Sequence, residues 1–136
     1  MGILIKKSII PEDYSQLIIY LSEKRIVSQP VVSFSLPFSE EMIKISPERR
    51  NLYIESCISR VLDQYPPYTV FKDIDALFNP CYKIDVLYIL VNLYKQKKYS
   101  LLWSGRFIDR KLLYADEGYS DYKIFDISKY DIICVM

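Results

Sequence analysis

Three prolines stand at the heads of three segments with helical spacing, and they constrain the fold more than any other feature of this chain. Proline suits the first turn of a helix, where a missing N–H costs nothing, and is barred from the interior. Pro11 is followed by Glu12 and Asp13, favourable against the helix dipole, then by Tyr14, Leu17, Ile18 and Leu21 at i, i+3, i+4 and i+7. Ser46-Pro47-Glu48 reads as a capped start. Behind it Ile54, Ile58, Val61, Leu62 and Tyr65 make one apolar face, and Pro66-Pro67 ends it. Asn79-Pro80 leads the third segment, which is apolar nearly all round from Ile84 to Tyr94 and finishes on Lys95, Lys97 and Lys98. The pattern predicts helices near 11–26, 47–65 and 80–98. Val86 to Leu93 can also be written as a strand, but the proline start and lysine finish favour helix.

The remaining apolar segments read as extended. Ile3 to Ile10 is a first strand, and Pro30 to Phe38, interrupted by two prolines, lies at a sheet edge or over the core. Four strands follow in the last third: Tyr99 to Trp103, Phe107 to Ala115, Tyr119 to Asp126 and Tyr130 to Met136. Ser104-Gly105 supplies a tight turn between the first two, and Asp116-Glu117-Gly118 a three-residue hairpin loop between the next two. The expected architecture is α+β: about three helices packed on one face of a mostly antiparallel sheet, with the C-terminal third a β-meander. A length of 136 residues fits one core, so residues 1–136 are expected to form a single globular domain.

Several kinds of chemistry are excluded by what the chain lacks. It contains no histidine, which removes Ser-His-Asp and Cys-His nucleophile systems and the commonest general base. Its three glycines, Gly2, Gly105 and Gly118, are too far apart to write a phosphate-cradling loop. Cys57, Cys81 and Cys134 are odd in number and widely spaced, so neither a disulfide framework nor a zinc site is expected. No catalytic residue, metal or cofactor is expected, and no hydrolase or transferase activity. The first residues lack the apolar core of a signal peptide, and Lys6 stands where myristoylation prefers Ser or Thr. Val86 to Val91 is too short to span a bilayer. A cytoplasmic protein with reduced thiols, and no membrane partner, is the expectation.

Three features could still carry function. Asp109-Arg110-Lys111 and Asp121-Tyr122-Lys123 match Asp-x-Lys on expected strands, where alternation would put each pair on one face, as a small metal-dependent nuclease requires. Lys95, Lys97, Lys98, Arg106, Arg110 and Lys111 interleave with Tyr94, Tyr99, Trp103 and Phe107, a composition suited to single-stranded nucleic acid. Against these stand ordinary readings: self-paired strand charges, lysines at a helix C-terminus, and a tryptophan in the core. The third feature is acidic. Asp116, Glu117, Asp121 and Asp126 lie between Tyr114 and Tyr130, with Asp131 directly after, and only Lys123 and Lys129 offset them. With net charge at +1, any electrostatic partner must be read by a local patch of this kind. Asp116, Glu117, Tyr119, Asp121 and Tyr122 are therefore the expected partner-binding residues, facing a basic protein. A small non-catalytic domain with such an edge matches what an immunity protein or toxin inhibitor needs, the partner then being a cognate toxin. A nucleic-acid-binding protein or nuclease is the alternative.

Overall fold

Leu17–Tyr20 and Ile132–Val135 are each buried at all four positions. A strand with one wet face alternates between apolar and polar, whereas one apolar throughout must be covered on both faces, as parallel sheets are. In the computed structural model, which describes residues 1–136, these runs are the central strands β2 and β9 of a six-stranded sheet. Its other strands are β1 (Ile3–Ile5), β3 (Val31–Ser33), β4 (Val70–Lys72) and β5 (Ser100–Leu102). The order is β1-β9-β2-β5-β4-β3, and every pairing is parallel. A separate antiparallel sheet of β6 (Arg106–Ile108), β7 (Lys111–Tyr114) and β8 (Lys123–Asp126) fills the connection from β5 to β9.

The expected mostly antiparallel sheet is thus overturned. The meander is confined to β6–β8, while β5 and β9 enter the parallel sheet. Strand spacing in sequence says which residues share a face but not which way the neighbouring strand runs. Residues 11–26 are not a helix either: Pro11–Asp13 is one 3-10 turn and β2 follows. A helix there would have buried Leu17 and Ile18 but left Ile19 and Tyr20 uncovered, whereas all four are fully buried in the strand.

Three helices are present: α1 (Ser35–Met42), α2 (Arg50–Asp63) and α3 (Val86–Tyr94). The first falls where the sequence suggested extended chain. Phe34, Phe38 and Met42, four residues apart, make its buried stripe, and Pro37 sits in its first turn, where no N–H is needed. The start of α3 is capped by Asp85, whose Oδ1 accepts from the Tyr88 N–H at 3.1 Å, and not by Asn79, which instead turns the chain toward Cys81.

The two faces of the parallel sheet are covered differently. Leu17, Ile19, Phe71, Leu101, Ile132 and Cys134 face a large core shared with all three helices and with Leu112 and Phe125 of the small sheet. Ile18, Tyr20, Val70, Ile133 and Val135 face a smaller core covered by Ile9, Tyr14 and Ile26. Connections leaving β1 and β2 therefore lie on one face, and those leaving β3, β4 and β5 on the other. The change of side falls between neighbours β2 and β5, and in open parallel sheets such a switch opens a crevice beyond the carboxyl ends of the strands.

Two turns carry positive φ without glycine. Asp109 (52°) and Arg110 (61°) make the two-residue hairpin joining β6 to β7. Ala115 (62°) opens the connection from β7 to β8, a conformation in which its Cβ crowds the backbone. Ala115→Gly is expected to stabilise the protein by about 0.5–1 kcal/mol. A urea midpoint that stays the same or falls would count against this.

Candidate functional site

The largest hollow, about 690 Å³, opens between α1 and the β7–β8 connection. The α1 wall is Phe38, Met42 and Ile43; the first two are buried, but Ile43 is 75% exposed. Phe78, from a 3-10 turn (Asp75–Phe78) after β4, makes the floor and stacks on Tyr114 of β7 with ring centroids 4.2 Å apart. The Tyr114 hydroxyl donates to Asp75 Oδ2 at 3.2 Å. Burial, the neighbouring Asp75 carboxylate and, more weakly, Asp121 push that hydroxyl up to about 12. Both carboxylates thus act on one end of the cleft. The other charge on the lining is Arg50, at the start of α2. Its Nε donates to the carbonyls of Met42 and Ile45 at 3.1 and 3.0 Å, so part of its hydrogen-bonding capacity is spent on the end of α1.

A second hollow of about 320 Å³ lies at the switch between β2 and β5. Glu23 follows β2, Lys72 and Asp73 close β4, and Leu102, Trp103 and Ser104 end β5. Asp75 lines both hollows, so they are neighbours across this side chain.

Of the residues expected to bind a partner, Asp121 reaches the large cleft, where it joins Asp75. Asp116, Glu117 and Tyr119 stand outward, Tyr119 with 68% of its surface exposed, and Tyr122 is half-buried. Backbone bonds from Tyr119 N to Asp116 O and from Tyr122 N to Tyr119 O, both 3.1 Å, fold this stretch into successive turns. Gly118 takes φ 95°, as a turn glycine can, but the connection is longer than a three-residue loop. Not all the acids are free. Asp116 lies 3.5 Å from Arg106, and Asp126 accepts from the N–H and hydroxyl of Ser128, which hold its carboxyl below the usual range. Asp75, Phe78 and Ile43 escaped the sequence reading. Asp75 carries no local signal, since its role comes from the turn after β4 packing against Tyr114 of β7.

The other two features come apart in three dimensions. Asp109 is in the β6–β7 turn and Asp121 in the β7–β8 turns, so neither shares a strand face with its lysine. No three acidic or cysteine side chains are grouped to hold a metal ion. In the basic stretch, Tyr94, Tyr99 and Trp103 are buried. Trp103 Nε1 donates to the Leu113 carbonyl at 3.0 Å, and Lys98 lies 4.3 Å over the Tyr94 ring. Those aromatics are committed to the core and cannot stack on bases.

The fold and cleft define a parallel-sheet domain with a small antiparallel appendage and an acidic, aromatic-floored groove. No family model, curated protein or solved structure matches the chain. No helix is long and apolar enough to cross a membrane.

Proposed function

We propose that this is a non-catalytic protein-binding domain that neutralises a basic partner, in the manner of an immunity protein covering a toxin in the cytoplasm. The observation that carries this reading is the placement of Asp121. Asp121 brings the acidic, tyrosine-rich connection to the largest cleft, which it lines together with Asp75 and with apolar side chains of which Ile43 is exposed. Binding sites of this kind combine apolar lining with a few convergent polar groups. Carboxylates at the rim speed encounter with a positive partner, and the aromatic centre supplies buried area. The three free thiols, two of them buried, suit a reducing compartment.

The test is to titrate the product of the adjacent reading frame with this protein and follow its toxic activity. Stoichiometric neutralisation is expected. The charge reversal Asp116→Lys with Glu117→Lys should slow association by roughly ten-fold or more at low salt and flatten the salt dependence. An unchanged association rate and salt dependence would remove the acidic connection from the interface. DNA or RNA cleavage by the protein alone in Mg²⁺ or Mn²⁺, abolished by Asp121→Ala, would overturn the non-catalytic reading.

A further inference from the structure

Resting on the protein-binding role proposed above, we infer that the occupant of the groove is an extended basic segment of the partner, which runs along the carboxyl edge of the parallel sheet and sets one lysine or arginine against Asp75 and Asp121 and a second against Asp73 and Glu23. Asp75 lines both hollows and so places them side by side, within reach of one extended chain lying between α1 and the end of β2. Four carboxylates line this path against two cations, Lys72 and Arg50, and Arg50 is already engaged with α1 carbonyls. Glu23, Asp73 and Asp121 make no ion pair and no side-chain hydrogen bond, and Asp75 accepts only from Tyr114. The charges are therefore available to a partner.

The apolar part of the path fixes what must accompany the charge. The half-buried ring of Tyr114, backed from below by Phe78, offers a surface for the aliphatic stem of a long basic side chain, whose head then reaches the carboxylates. Exposed Ile43 on the opposite wall gives a contact for an apolar neighbour. Alternate side chains of an extended segment point the same way about 6–7 Å apart, so one such segment can address both hollows, which share Asp75 as a wall. Phosphate-bearing ligands are repelled by the same carboxylates.

The experiment uses the full chain, ¹⁵N-labelled, titrated with six-residue acetylated peptides of threonine and valine that carry two lysines, one lysine or two glutamates. The two-lysine peptides should bind at least ten-fold more tightly than the one-lysine peptides, with shifts along both hollows, and the glutamate peptides should not bind. Asp73→Asn, which keeps a residue tolerant of the φ of 56° found there, should reduce two-lysine binding to the one-lysine level. Asp121→Asn should weaken both. Equal binding of lysine and glutamate peptides, or no effect of Asp73→Asn, overturns the inference, as does spermidine binding as tightly as the two-lysine peptides. If the groove variants are silent while the Asp116→Lys/Glu117→Lys reversal still slows binding to the toxin, the protein-binding role stands and the path fails.

Discussion

Phe78→Ala is expected to lower the unfolding free energy by about 3–5 kcal/mol, the range for truncating a buried aromatic ring. Phe78 is 1% exposed and touches three parts of the structure. Its ring stacks on Tyr114, stands edge-on to Trp103 at 5.5 Å and lies 6.2 Å from Phe125. These neighbours come from β7, the end of β5 and β8, so one side chain joins the parallel sheet to the antiparallel one. Each aromatic pair adds about 0.5–1.5 kcal/mol beyond the area it buries. The vacated space cannot readily close, because the Trp103 bond to Leu113 holds β7 at a set distance from β5. Both effects place the loss toward the upper end. Tyr114→Phe is the control: it keeps the stack, gives up the hydroxyl bond to Asp75 and should cost about 1 kcal/mol or less. Urea unfolding measures both. A loss below about 1.5 kcal/mol for Phe78→Ala would mean that the two sheets are not joined there.

The second large effect is alkaline unfolding. Tyr20, Tyr99 and Cys134 are wholly or almost wholly buried. Burial, aided by Glu12, pushes Tyr20 up to about 12, and burial pushes Cys134 to about 12 against a small opposing pull from Arg110. Tyr99, whose hydroxyl donates to the Leu90 carbonyl, is raised well above 10 by burial and then by Tyr94. Unfolded, these groups lose their protons near 9 and 10; folded, they keep them. Above pH 9 the unfolded chain therefore binds fewer protons than the native one, and stability falls as pH rises. The loss starts near pH 9 with Cys134, grows past pH 10 with the tyrosines, and levels off for Tyr20 and Cys134 only near pH 12. Each such group contributes a slope of about 1.4 kcal/mol per pH unit within its window. Melting temperatures by circular dichroism from pH 8 to 11, with tyrosinate absorbance followed in parallel, should fall together with the appearance of tyrosinate. A flat profile to pH 11 would refute the argument. Tyr20→Phe should shallow the decline and also raise stability at neutral pH by about 1 kcal/mol, since the Tyr20 hydroxyl is buried without a hydrogen-bond partner.

Local pattern was legible wherever an element answers to its own residues. The stripe Ile54, Ile58, Val61 and Leu62 is the buried face of α2. The segment from Ile84 to Tyr94, apolar nearly all round, contains the heavily buried α3. Gly118 takes the positive φ that a turn glycine allows. The same rules misread residues 11–26, because Leu17, Ile18 and Leu21 fit a helical stripe as well as they fit a strand covered on both faces. Only the presence of β5 and β9 on either side of β2 decides between them. Phe34, Leu36 and Phe38 alternate as in extended chain, and only the packing of Phe34, Phe38 and Met42 into the core makes the segment a helix.

By itself the sequence determined the chemistry available to this protein: no histidine, no glycine-rich loop, separated cysteines, and an acidic tyrosine-rich stretch before the last strand. Those are properties of residue identity and near neighbours, and no folding changes them. Tertiary structure alone decided that the main sheet is parallel, because strand direction depends on where the chain returns and not on what each strand contains. It likewise brought Asp75 and Asp121 to one cleft and set the switch point next to it. Such a site is assembled from ends of strands remote in sequence, and their meeting follows from packing both faces of a sheet whose central strands are apolar throughout.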